Sequence, residues 1–195
     1  MRLALTIVLG GGLLAGTAHS DDLGVGDRSA GRTLAGMCRT CHGLEGLARI
    51  PIAPNIGGEP VEYLRAQLLA FREGSREHEM MTVVAASLSD QDIDDLAAWY
   101  SGHQIDAALP QDANPDDAPV ACSSCHGIAG LTDLADAPHL AGETNIYIET
   151  QLKAFRSGKR QHEVMSAIAQ SLSDAEMRAI ADWYASASID ITLTE

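Results

Sequence analysis

The chain has 195 residues, a formal net charge of −14 and 4% aromatic side chains. That length suits one domain or two small ones. The acidic balance excludes nucleic acid as a partner, because phosphate binding draws on the opposite sign; any electrostatic steering favours a basic docking patch. A domain of about 80 residues with few aromatics has little core to spare, so a large buried cofactor would help to fill it.

Arg2 opens the chain, Leu3 to Leu14 is almost wholly apolar, and Ala18 and Ser20 follow. This is the pattern of an export signal over residues 1–20, cleaved after Ser20. The apolar run is short against the roughly 20 residues a membrane span needs. The mature chain, one unit more negative without Arg2, is therefore expected to be soluble in the periplasm, with at most peripheral membrane association.

The rest of the chain is a duplication. An offset of 84 residues aligns Cys38–Tyr100 with Cys122–Tyr184 without a gap, with 29 of 63 pairs identical. A period this long means tandem domains rather than a solenoid of short units. The expected division is an N-terminal domain over 21–104, a linker over 105–118 and a C-terminal domain over 119–195. Gly26 to Met37 gives the first half room for a leading helix. The second half has instead a segment rich in Asp and Pro (Pro110, Pro115, Pro119), in which Asp117 and Pro119 start only a short helix.

Within each repeat the helical signals recur. Pro60 to Arg72 has a helical apolar pattern ended by Gly74, and its twin runs from Thr144 to Gly158. Ser89 with Asp92, and Ser173 with Glu176, read as capping boxes. Ile93, Leu96, Ala97 and Tyr100 fall on one stripe, repeated by Met177, Ile180, Ala181 and Tyr184. No alternating strand pattern stands out, so the fold class is all-α.

Each repeat opens with Cys-x-x-Cys-His: Cys38, Cys41 and His42, then Cys122, Cys125 and His126. This is the attachment signature of c-type haem. The two thiols add to the two vinyl groups of the porphyrin, and the adjacent histidine ligates the iron. A thiol–disulfide motif belongs in an α/β context that is absent here, and zinc needs four ligands at matched spacings. Two copies behind an export signal point to two covalently bound haem c groups.

A sixth ligand must come from farther along each repeat, and His, Met, Lys or water all serve in principle. Met/His ligation is usual in electron carriers. Met80 aligns with Val164 but Met81 with Met165, so Met81 and Met165 are the expected axial ligands. His78 and His162 also align and compete for that role, with surface exposure or a propionate contact the alternatives. His103 and His139 lack counterparts and are expected at the surface. With both axial positions filled, no coordination site is open to a small substrate, which favours electron transfer over catalysis at the haem.

With these residues in view, the chain resembles the class I cytochromes c, and among them the di-haem cytochrome c4 family. The resemblance implies that Pro54 and Pro138 pack on the haem and accept a hydrogen bond from the ligand histidine; a plain turn proline is the alternative. It implies that Arg76 and Arg160 belong to the haem environment and pair with propionates, unless they are solvated. Trp99-Tyr100 and Trp183-Tyr184 are expected to pack the last helix on the haem-bearing one. The implied function is an electron carrier, not itself an enzyme, between a quinol-oxidising complex and a terminal oxidase or reductase. The competing functions are a dedicated haem subunit of a dehydrogenase, such as flavocytochrome c sulfide dehydrogenase, and a di-haem peroxidase.

Overall fold

The computed structural model describes residues 26–194; the expected export signal lies outside them. The first half contains α1 (Arg28–Leu34), a short 3-10 turn at Ala35–Met37, α2 (Arg39–His42), α3 (Val61–Glu73), α4 (Met81–Ala85), α5 (Asp90–Ser101) and strand β1 (His103–Ala108). A second 3-10 turn at Pro115–Asp117 leads to α6 (Val120–His126), α7 (Asn145–Ser157), α8 (Glu163–Ser171), α9 (Asp174–Ala185) and strand β2 (Ser188–Leu193). Among the described residues no helix is long and apolar enough to cross a membrane.

Local chemistry sets the helix limits. Asp27 caps α1 by accepting from the N–H groups of Ser29 and Ala30. Both expected capping boxes form, Ser89 with Asp92 and Ser173 with Glu176, each satisfying backbone donors that a helix start leaves unpaired. Thr144 caps α7 through Tyr147 N–H, and α3 and α7 stop at Gly74 and Gly158. Two arginines then fix how these helices meet. Arg72 donates to Leu88 O (3.1 Å) and Asp90 (2.6 Å) at the start of α5. Its twin Arg156 donates to Leu172 O (3.3 Å) and pairs with Asp174 (2.7 Å) at the start of α9.

The apolar stripes on α5 and α9 are buried as expected. Ile93, Leu96, Ala97 and Tyr100 pack with Leu64 and Leu88 in one core; Met177, Ile180, Ala181 and Tyr184 pack with Ile148, Leu152 and Phe155 in the other. The first core has an extra layer, α1 laid across α5. A Cβ on Gly31 would stand 2.0 Å from Asp95 O and 2.8 Å from Trp99 Cβ, so only glycine allows this approach. Asp95, 5% exposed, receives the Asp27 N–H at 2.7 Å and the Gln91 amide at 2.7 Å. The second half has no such layer: its chain enters α6 directly from the turn at Pro115–Asp117.

Two features correct the sequence reading. First, β1 and β2 pair as an antiparallel ribbon, with Ile105 opposite Ile191 and Ala107 opposite Ile189. This ribbon joins the ends of the two halves, and it occupies the first residues of the segment expected to be linker. Side chains alternate on it, Ile105, Ile189 and Ile191 being half-buried between exposed Gln104, Asp106, Asp190 and Thr192. Second, His103 is 4% exposed, not at the surface. Its Nδ1 lies 3.0 Å from Trp99 O and its ring meets the Trp99 indole edge-on at 4.8 Å.

Candidate haem-binding sites

α2 and α6 are single short helices that end on the Cys-x-x-Cys-His signature itself, so both cysteines and the histidine of each signature sit on one helical turn. The glycine after each histidine makes the exit possible. Gly43 and Gly127 have φ of 74° and 77°, and a Cβ there would stand 2.3 Å from Leu47 O or 2.1 Å from Leu131 O. Above them, Tyr100 OH lies 3.4 Å from Gly43 O and Tyr184 OH 3.3 Å from Gly127 O. Trp99 Nε1 donates to Leu44 O at 2.8 Å and Trp183 Nε1 to Ile128 O at 2.9 Å. The Trp-Tyr pairs thus hold the last helix against the turn that follows each histidine.

Each histidine is oriented by a proline carbonyl. His42 Nδ1 is 2.9 Å from Pro54 O, and His126 Nδ1 is 2.8 Å from Pro138 O. A carbonyl only accepts, so Nδ1 carries the proton and Nε2 keeps its lone pair. Burial pushes both imidazoles below the usual histidine range, opposed by the proline bonds. A buried neutral imidazole with a fixed tautomer is the form that ligates iron. Burial pushes the Cys38 and Cys122 thiols up. The four cysteines are free of disulfides. Among the described residues no group of three His, Cys, Asp or Glu side chains is gathered for a metal ion. Two thiols and one oriented imidazole per half fit a c-type haem.

Met81 opens α4 and is half-buried, whereas Met80 is 62% exposed. In the second half Met165 packs against the core while Val164 is 51% exposed. His78 and His162 are exposed and occupied otherwise. His162 Nδ1 accepts Met165 N–H at 3.3 Å as the N-cap of α8, and His78 Nδ1 accepts Met80 and Met81 N–H at 3.3 and 3.4 Å. Each therefore fixes the turn that carries the methionine.

Arg76 and Arg160 are both 9% exposed and lie between the halves rather than in solvent. Their backbones form an antiparallel bridge. Arg76 donates to Gln67 (2.6 Å), Gln151 (2.8 Å) and Tyr147 OH (3.3 Å). Arg160 donates to Gln151 (2.9 Å), Gln67 (2.9 Å) and Tyr63 OH (3.1 Å). Each guanidinium also stacks 4.5 Å from the phenylalanine of its own half, Phe71 or Phe155. Sequence reasoning missed this network. Its signal was present, since Tyr63, Gln67 and Arg76 recur as Tyr147, Gln151 and Arg160.

Comparisons with known proteins agree with this geometry. Residues 27–99 match the family model for the cbb3-type cytochrome c oxidase subunit III, and residues 118–188 the model for cytochrome c. The chain is 31% identical to a cytochrome c4 of Pseudomonas aeruginosa, covering 94% of this chain and 96% of that protein. It is 32% identical to a thiosulfate dehydrogenase electron acceptor of Stutzerimonas stutzeri, covering 76% and 77% respectively. It superposes on the crystal structure of reduced recombinant cytochrome c4 from Pseudomonas stutzeri with a TM-score of 0.72, at 29% identity, over 83% of this chain and 99% of that one.

Proposed function

The chain belongs to the cytochrome c4 family, and is a di-haem electron-transfer cytochrome with covalently bound haem c; from that premise we propose that it shuttles electrons in the periplasm from a quinol-oxidising complex to a terminal oxidase or reductase. The observation that carries the reading is the doubled constellation of signature histidine and proline carbonyl, at 2.9 and 2.8 Å, followed by a half-buried methionine. Cys38 and Cys41, with Cys122 and Cys125, anchor the two haems. His42 and Met81, with His126 and Met165, would hold the two irons. The haem supplies reversible one-electron chemistry at its iron.

The chain's own residues tune and insulate that chemistry. Pro54 and Pro138 hold the imidazoles in one tautomer and orientation, so little reorganisation accompanies each transfer. A neutral, soft thioether donor suits reduced iron and raises the potential. His78 and His162 cap the turns that present the two sulfurs. Arg76 and Arg160, buried at the junction of the halves, tie the halves together through Gln67, Gln151, Tyr63 and Tyr147, and in this reading they would belong to the haem environment there. With a histidine and a methionine holding each iron, no coordination position would be left for peroxide. The test is kinetic: the purified, reduced holoprotein is mixed with membranes containing a terminal oxidase, and the oxidised form with a quinol-oxidising complex. Turnover at both ends supports the shuttle, and inactivity at either end removes it.

A second reading has one specific support, the relative named as a thiosulfate dehydrogenase electron acceptor. In that reading the chain is the dedicated haem partner of a sulfur-compound dehydrogenase. Co-purification with such an enzyme and rapid reduction by it, without reduction by the quinol-oxidising complex, favours this alternative.

A further inference from the structure

Apart from the haem-binding residues, each half buries one carboxyl group where the two halves meet. Glu59 and Glu143 are equivalent in the repeat and are 4% and 3% exposed. Each follows a glycine whose carbonyl receives a side chain from the other half. Asn55 Nδ2 donates to Gly142 O at 3.1 Å, and His139 Nε2 donates to Gly58 O at 3.1 Å. The carboxyl groups cross in the same way. Glu59 Oε2 accepts the backbone N–H of His139 at 3.0 Å, and Glu143 faces the backbone of Asn55, the counterpart of His139. Glu143 Oε2 is buried with no hydrogen-bond partner among the described residues.

The surroundings do not neutralise two anions. His139 is held in its neutral form, because Nδ1 accepts Thr132 N–H at 3.0 Å while Nε2 donates to Gly58 O. Tyr63 faces Glu59 with a phenol that burial keeps protonated. The nearest buried cations, Arg76 and Arg160, give their hydrogen bonds to Gln67, Gln151, Tyr63 and Tyr147. Arg49 lines the same cavity of about 330 Å³ as Glu143, Asn55 and Thr144, but its side chain is largely exposed. From the ribbon, the residues against Gly58 and Gly142 are Ile105 and Ile189. An isolated buried carboxylate is strongly disfavoured, and two that face each other more so.

We propose that Glu59 and Glu143 form a proton-binding site between the two halves, and that the halves are docked closely only while this site is protonated. Protonation gives the orphaned Glu143 oxygen a hydrogen to donate and removes the like-charge contact. On deprotonation the proton leaves to solvent and two buried anions remain opposed. Burial pushes Glu59 up to about 8, and burial together with the facing Glu59 holds Glu143 well above the usual carboxylate range. Because both carboxyls are raised above the ordinary value of 4.5 in the docked state, docking is strongest below 4.5 and weakens as the pH rises, for Glu59 through about 8.

Infrared spectroscopy of the purified di-haem protein tests this without any redox partner, so its outcome is independent of the shuttle reading. At neutral pH the holoprotein is expected to show a protonated-carboxyl C=O stretch that shifts in D2O and fades as the pH is raised past 8. E59Q/E143Q should lack the band. Small-angle scattering should show expansion of the wild-type protein in alkali but not of E59Q/E143Q. If the double variant does not fold, E59Q alone should move the band's titration midpoint to lower pH. Absence of the band at neutral pH overturns the proposal. So does a band that survives E59Q/E143Q, which would belong to another carboxyl such as a haem propionate, or a midpoint unmoved by E59Q.

Discussion

The two halves agree at the proposed haem-binding residues and differ in what covers them. Trp99 is 4% exposed beneath α1, whereas Trp183, with the same hydrogen bond to the same turn, is only half-buried. Asp95, which receives the start of α1, is replaced in the second half by exposed Ala179. The bonds from Trp and Tyr to the turn, from His to Pro, and from His to the methionine-bearing turn survive without the extra helix. The site is therefore specified by α5 or α9, the signature turn and the proline loop. α1 adds packing to one half and shields one side of it from solvent.

The largest effect that tests this equivalence is haem loss. Replacing Cys38 and Cys41 by Ala, or Cys122 and Cys125 by Ala, should each reduce covalent haem from two per chain to one in a pyridine haemochrome assay. Two haems retained by either variant would break the assignment. Next come the proposed axial ligands. Met81→Ala and Met165→Ala should each remove one of two methionine–sulfur charge-transfer bands and lower the potential of the haem concerned. Met80→Ala, at an exposed position, should leave both bands and both potentials in place; if it removes a band instead, the alignment of Met81 with Met165 is the wrong guide.

Smaller effects sharpen the difference between the halves. Trp99→Ala should cost about 3–5 kcal/mol in chemical denaturation, as for a buried aromatic. Trp183→Ala should cost roughly half as much, because its ring is already partly in water. Equal losses would mean that α1 contributes no burial of consequence. Asp95→Ala, which strands the Asp27 N–H, should cost about 1–3 kcal/mol and speed hydrogen exchange in α1 alone. Last, Arg65→Ala breaks an exposed ion pair with Asp94 (2.5 Å) and should change stability by less than about 1 kcal/mol.

Much of this was legible in the sequence because the duplication acts as an internal control. Residues shared at the 84-residue offset include the signature, the prolines, the capping serines and one methionine of two. The missing cover on the second half was also readable, as Asp and Pro in place of a leading helix. The ribbon was not. Ile189-Asp190-Ile191 alternates over few residues, and the partner strand lies in a segment dominated by Pro and Asp, so neither strand announces itself before the other is found. His103 misled because a histidine near a helix end usually faces water; here β1 turns back over Trp99 and buries it. Arg76 and Arg160 were visible as a matched pair, but nothing local to either tells a side chain that it will meet the other half.

The reciprocal contacts between the halves carry a further meaning. Arg76 bridges Arg160, Asn55 reaches Gly142 as His139 reaches Gly58, and Glu59 opposes Glu143. A surface on which position i meets j and j meets i is isologous, the kind that two identical subunits make across a dyad. Here a single polypeptide makes it with itself. The connection between the halves then serves chiefly as a tether that raises the effective concentration of two surfaces already shaped for each other, and the recognition resides in the dyad contacts, not in the covalent link.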